Sequence, residues 1–266
     1  MNRIDAKFEQ LRKDGEKGFI PFIMAGDPNL DTTMKLVVEL EKRGAAVVEL
    51  GVPFSDPLAD GIANQEAGQR GLASGTTLTG IFRAVKELRK DCQIPIVLYI
   101  YYNMVLQYGL DRFASDAKEH GVDGILALDL PPEEAGEYKP SMDANDVKTI
   151  FLLAPTSSDE RIEIVSKSAT GFLYYVSRTG VTGEREEVAD SLRGMVKKIK
   201  DVAELPVVVG FGISTPEQAA EIASHADAAV VGSAIVRRIG EMADAPQLVE
   251  KIGDFAGSLV RGIRGE

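Results

Sequence analysis

The sequence predicts a single (β/α)8 barrel, the TIM-barrel architecture, with one extra helix before the first strand and a long loop after the second. Three observations lead there. Eight short runs rich in β-branched and aromatic residues recur along the 266 residues, each brief enough for a buried parallel strand. Amphipathic segments with helical spacing separate them, so the chain alternates strand and helix. Eight such units over about 250 residues match the usual size of a closed barrel, whereas an open doubly wound sheet carries fewer parallel strands.

The elements follow in order. Residues from about 2 to 15 place Ile4, Phe8 and Leu11 on one helical face, and this helix is expected to plug the bottom of the barrel. The strands are read in "FIPFIMAG", "AAVVELGV", "IPIVLYIYYN", "DGILALDLP", "KTIFLLAP", "GFLYYVS", "LPVVVGFG" and "AAVVGSAIV". Between them, segments such as "LDTTMKLVVELEKRG", "LTGIFRAVKELRKD" and "STPEQAAEIASHA" open with Asp, Ser or Thr and close at Gly or a basic residue, as helix ends favour. About 25 residues separate Val52 from Leu78, far more than the ~2 to 6 of an ordinary βα loop. Long loops at the C-terminal face of a barrel carry chemistry or partner contacts. No linker or composition shift divides the chain, which predicts one domain over residues 1–266.

Composition narrows the function classes. A net charge of -11 and a pI near 4.9 disfavour binding to nucleic acid or anionic membrane, which needs basic patches. A local anion site stays open, because backbone amides hold phosphate without net positive charge. The single cysteine, Cys92, permits neither a disulfide framework within the chain nor a thiolate metal site. With no apolar signal core in "MNRIDAKFEQLRKDGEKG" and no apolar run near the ~20 residues that span a bilayer, a cytoplasmic, soluble protein is expected. The two histidines, His120 and His225, fall near helix ends by the expected bottom face, so no metal site or histidine base is expected. No lysine ends a strand where an imine would form; strand six continues into Ser177 and Arg178.

A carboxylate inside an apolar run is the strongest chemical signal. In "AAVVELG", Val47, Glu49 and Gly51 share one strand face, and if Val48 and Leu50 pack on the helices Glu49 points into the barrel. Desolvation there raises a carboxyl pKa toward values useful for proton transfer. The residues alone leave two readings: an acid-base group, or a buried acid paired with arginine or backbone amides. Asp60, in "PLADG", is either a turn former or a second acid facing the first. Asp56 and Asp27 read first as turn or cap residues. Tyr99, Tyr101, Phe172 and Tyr174 belong either to the core or, with Phe22, to the walls around a flat apolar moiety. Glycine-rich ends of strands six to eight, in "GVTG", "GFG" and "GSA", suit a phosphate site built from backbone amides and a helix N-terminus. Gly180 and Gly183 are alternatively hinges of a flap.

"PFIMAGDP", "VELGVPFSDPLADG", "YYN", "SRTGVTG", "GFGIS" and "GSAIV" occur in this order, and together they resemble the tryptophan synthase alpha subunit from about Gly18 to Val236. The resemblance implies cleavage of indole-3-glycerol phosphate to indole and glyceraldehyde 3-phosphate, with no cofactor in this chain. It implies Glu49 as the acid-base residue and Asp60 as the carboxylate that holds the indole N–H. Tyr174 falls on the active-site tyrosine, with Phe22 and Tyr101 expected beside the substrate. Gly183, Phe211, Gly212, Gly232 and Ser233 fall on phosphate-binding positions, and Thr182 on the threonine of a flap that meets the Asp60 loop. The partner implied is a pyridoxal phosphate-dependent beta subunit in an α2β2 heterotetramer, facing the Asp56 region. Two positions depart: where the family usually has proline after "ADG" and then an aliphatic residue before Gln, this chain has Ile62 and Asn64. Ile62 removes a restraint on the loop, and Asn64 sets an amide where an apolar contact is common.

Overall fold

The computed structural model describes residues 1–176, 185–210 and 212–266, with residues 185–189 described through their backbone alone. Eight parallel strands, β1 (Gly18–Met24), β2 (Val48–Gly51), β3 (Ile96–Ile100), β4 (Gly124–Ala127), β5 (Lys148–Leu153), β6 (Leu173–Val176), β7 (Val207–Gly210) and β8 (Ala228–Val231), close into a barrel. Each pairs with its sequence neighbour, and β8 returns to β1. The helices are α1 (Arg3–Asp14), α2 (Leu30–Lys42), α3 (Ile62–Ala73), α4 (Leu78–Leu88), α5 (Tyr102–Tyr108) and α6 (Leu110–His120). They continue with α7 (Tyr138–Ala144), α8 (Asp159–Ser168), α9 (Arg185–Val202), α10 (Pro216–His225), α11 (Ser233–Glu241) and α12 (Leu248–Arg264). Among the described residues no helix is long and apolar enough to cross a membrane.

Side chains alternate along each strand, and the barrel sorts the two sets. Phe19, Ile23, Val48, Leu50, Leu98 and Val209 face outward into the apolar layer beneath the helices. Ile20, Val47, Val97, Leu126, Ile150 and Val208 fill the interior. The expected register of β2 follows, with Glu49 opposite Phe22 of β1 and Val97 of β3.

The bottom of the interior is closed by α1. Ile4 and Phe8 join the inner cluster, and the Phe8 ring lies 5.6 Å from that of Phe172. Gly124 makes room, since a Cβ there would lie 2.9 Å from Cδ1 of Ile4. Asn2 caps the helix by accepting from the Ile4 amide and donates to the carbonyls of Asp123 and Asp146, each at 2.9 Å. Phe172 therefore belongs to the bottom core.

The connection after β2 is long, as expected, but α3 occupies about half of it. Its buried positions are Ala67, Gly68 and Gly71, too small to write an apolar stripe into the sequence. Tertiary contacts hold it instead. Arg70 donates through Nε and a second guanidinium nitrogen to both oxygens of buried Asp27, each at 2.8 Å. Gly71 permits close approach to β1, since a Cβ there would lie 2.7 Å from the Ala25 carbonyl oxygen. Asp27 is thus one half of an ion pair. Strand β3 also stops before its apolar run does: Ile100 ends it and Tyr102 already opens α5, which puts Tyr101 at the rim.

Candidate active site

A cavity of about 1340 Å³ opens at the C-terminal ends of the strands, the face where barrels of this architecture place their chemistry. Glu49, Asp60, Phe22 and Tyr174 all line it, and so do Gly212, Gly232 and Ser233. Residues from the first, second, sixth, seventh and eighth βα units therefore converge on one space.

Glu49 is 1% exposed, and its Oε1 is buried without a hydrogen-bond partner. Among the described residues no cation pairs with it, so the reading of a charge-paired core acid loses its support. Burial pushes its pKa up to about 8, because removing water penalises the charged form. A carboxyl in that state is protonated at neutral pH and ready to donate.

Asp60 is held quite differently. Tyr99 donates to its Oδ1 and Tyr101 to its Oδ2, each at 3.0 Å, and the Asn64 amide reaches Oδ1 at 3.3 Å. Its backbone carbonyl accepts from Gln65 at 2.8 Å. Three donors converge on its side chain, while burial and the charge of Asp60 raise the pKa of both tyrosines and keep them protonated. The site therefore contains one neutral acid and one supported carboxylate, the arrangement that lets two like groups take different roles.

The walls between the two acids are apolar. The Phe22 ring meets Tyr99 edge-on, with centroids 5.0 Å apart. It crosses β2 at Gly51, where a Cβ would lie 2.7 Å from Cζ of Phe22. Tyr174 is buried, and both burial and the charge of Glu49 raise its pKa. Its hydroxyl occupies the space that Gly210 leaves, 2.8 Å from where a Cβ would stand. Leu128 and Leu152 also line the cavity.

The cavity also has a glycine-lined part. Gly212 has φ +64°, and Gly232 and Ser233 lead into the first turn of α11, whose amides lack intrahelical acceptors. Thr182, Gly183 and Phe211 lie outside the described residues, as does Gly180. Tyr101 does not line the cavity; it stands behind Asp60, stacks on Phe54 at 5.0 Å and accepts from the Ala59 amide at 3.0 Å. Asp56 is exposed on the same loop, next to Leu58, which is 93% exposed.

Sequence reasoning missed several lining residues. Arg237 follows Ser233 by one helical turn on α11, so periodicity was a usable signal for it. Arg161, ion-paired with Glu133, and Ser158 come from the start of α8 and had no motif to mark them. Leu128 and Leu152 are indistinguishable from ordinary core residues in the sequence.

A closed barrel with a neutral buried acid, a supported carboxylate and a glycine-lined rim defines a class: a barrel enzyme that moves protons on a phosphorylated substrate. Residues 8–262 match the family model described as tryptophan synthase alpha chain. The chain is 51% identical over 263 residues to the tryptophan synthase alpha chain of Geobacter sp. (strain M21), covering 99% of this chain and 98% of that one. The structure of tryptophan synthase subunit alpha from Legionella pneumophila str. Paris superposes with a TM-score of 0.93 at 38% identity, covering all of both chains. A tryptophan synthase complex from Pyrococcus furiosus matches with a TM-score of 0.83 at 36% identity, over 92% of this chain and 98% of that one. The chain belongs to the tryptophan synthase alpha chain family. Alpha chains of this family cleave indole-3-glycerol phosphate to indole, which passes to a beta subunit that carries the pyridoxal phosphate.

Proposed function

We propose that this chain carries out the alpha reaction with Glu49 as its acid and base and Asp60 as its electrostatic partner. The observation that carries the reading is the unpartnered, buried Oε1 of Glu49 in the same cavity as the tyrosine-held Asp60. Neutral Glu49 delivers its proton to the ring carbon that bears the glycerol phosphate chain. Positive charge then develops on the ring, and Asp60, accepting from the ring N–H, stabilises it. The Glu49 carboxylate next removes the proton from the side-chain hydroxyl; the carbon–carbon bond breaks, and indole and glyceraldehyde 3-phosphate separate. Glu49 recovers its proton in the same step, so one group serves both directions. Phe22 and Tyr174 clasp the ring, with Tyr101 acting through Asp60. Gly212, Gly232 and Ser233 take the phosphate, with Gly183 and Phe211 assigned beside them and Thr182 to the flap, on the resemblance alone.

The beta subunit is the partner, and Asp56 together with exposed Leu58 and Ile62 forms the face proposed to receive it. An apolar side chain held out in water at 93% exposure has most to gain from being covered. The whole chain acts as one domain in the cytoplasm, where its single thiol, raised to about 11 mainly by burial, stays reduced.

The test is indole release from indole-3-glycerol phosphate, with and without a beta subunit. Wild type is expected to release indole and to be accelerated by the partner. Glu49→Gln, which keeps the shape and removes the proton relay, is expected to lose the reaction by about 10³-fold or more. Equal rates in the two proteins would remove Glu49 from the mechanism. Leu58→Arg is expected to abolish the acceleration while leaving the unaccelerated rate within about two-fold.

A further inference from the structure

Adjacent arginines on α11 meet different surroundings. Arg238 is engaged within the fold: its guanidinium lies over the Phe255 ring, 3.7 Å from the centroid, and its Nη1 donates to the Ala234 carbonyl at 2.8 Å. Arg237 lines the active-site cavity and is exposed, which sets it at the mouth. Among the described residues it has no hydrogen bond, ion pair or ring contact.

Positive charge is scarce in this cavity. Its described walls carry the acids Glu49 and Asp60 and the cations Arg161 and Arg237. Arg161 is ion-paired with Glu133, so among the described lining residues Arg237 is the cation left without a counter-charge. The chain has a net charge of -11, and an anionic ligand approaches against that field. An uncompensated arginine at the entrance offsets the repulsion where it matters.

Helix geometry decides which part of the cavity this charge serves. Ser233 opens α11 and Arg237 follows it one turn later, so the two share a face of the helix. Long side chains on a helix run back toward its N-terminus, which carries the guanidinium toward Ser233 and Gly232. The first amides of α11 have no intrahelical acceptor there, and Gly232 as N-cap supplies no side chain to satisfy them. Amides offer donors of fixed direction, whereas arginine adds a full charge and a planar fork that fits phosphate oxygens.

We propose that Arg237 is a specificity-determining residue that contacts the phosphate of the substrate from the mouth of the cavity. The proposal rests on the reading that Gly212, Gly232 and Ser233 take that phosphate, and it adds a charged contact to a site otherwise made of amides and a hydroxyl. A phosphate monoester carries about -1.5 to -2 charges at neutral pH. Charge at this position therefore favours phosphorylated ligands over neutral ones.

The experiment measures calorimetric dissociation constants of glycerol 3-phosphate, which has the phosphate without the ring, and of indole, which has the ring without the phosphate. Arg237→Gln is expected to weaken glycerol 3-phosphate about ten-fold while changing indole by less than about two-fold, and Arg237→Lys to recover part of the loss by restoring charge. Equal weakening of both ligands would make Arg237 a structural residue and overturn the proposal, as would unchanged binding of glycerol 3-phosphate in Arg237→Gln. Thermal melting confirms that each variant is folded. Weakening by Ser233→Ala with none by Arg237→Gln would remove Arg237 alone and leave the phosphate reading in place. A wild type that binds glycerol 3-phosphate through Arg237 but releases no indole from indole-3-glycerol phosphate would instead contradict the catalytic assignment and support the contact.

Discussion

The hydroxyl of Tyr99 donates to Oδ1 of Asp60 across 3.0 Å, and the two residues are 39 positions apart in the chain. One sits on β3 and the other on the loop after β2. This bond ties a loop carboxylate to the rigid wall of the barrel, next to the strand that carries Glu49. Tyr99→Phe deletes one oxygen and nothing else. Loss of a hydrogen bond to a charged group is worth about 1.5–3 kcal/mol, so kcat/KM for indole-3-glycerol phosphate is expected to fall by about 10- to 100-fold. Steady-state kinetics measures this, and a thermal melt within a few degrees of wild type would show that the loss is local.

With Glu49 as the proposed acid, both activity and stability are expected to depend on pH. Its folded-state pKa is raised to about 8 by burial, against an ordinary value of 4.5. Between these values the folded chain holds a proton that the unfolded chain has released. The contribution to stability is therefore fully present below about 4.5, and it is lost as pH rises through 8. Urea titrations of wild type and Glu49→Gln across that range are expected to diverge, with the variant gaining relative stability of a few kcal/mol toward alkaline pH. kcat/KM of wild type is expected to decline above pH 8 as the proton donor ionises.

Arg70 holds α3 through Asp27, whose side chain is 1% exposed. Removing only the cation strands a buried carboxylate. Arg70→Ala is expected to cost about 3 kcal/mol in urea unfolding and to lower activity as well, because α3 carries Asn64 and directly follows Asp60.

Gly210 leaves space for the hydroxyl of Tyr174. A methyl group in Gly210→Ala would lie 2.8 Å from that oxygen, so the ring must shift toward the cavity that it lines. Overpacking of about 1–2 kcal/mol is expected in thermal or chemical unfolding. KM should rise while the barrel signal in circular dichroism stays unchanged.

Much of this is legible in the sequence. Glu49 stood out because charge is rare in an apolar run, and strand alternation alone aimed it inward. The glycines at the ends of late strands were visible in the sequence, and Gly212, Gly232 and Ser233, proposed to take the phosphate, line the cavity. Asp60 was harder: locally it is a turn residue, and only its tyrosine partners distinguish it from one. Tyr101 was expected beside the substrate and stands behind Asp60 instead, because β3 ends at Ile100 and turns into α5. Helix α3 escaped detection, since small residues carry almost no periodic signal.

The sequence by itself determined the eightfold alternation of strand and helix, the plug formed by α1 and the inward direction of Glu49. Each depends on spacing between near neighbours, and backbone geometry converts spacing into a face. Only the tertiary structure decided that Glu49 has an oxygen without a partner, that two tyrosines grip Asp60, and that Asn64 turns an unmet carbonyl away from it. Those facts depend on which distant residues the closing barrel brings within 3 to 4 Å, a matter that no local pattern records.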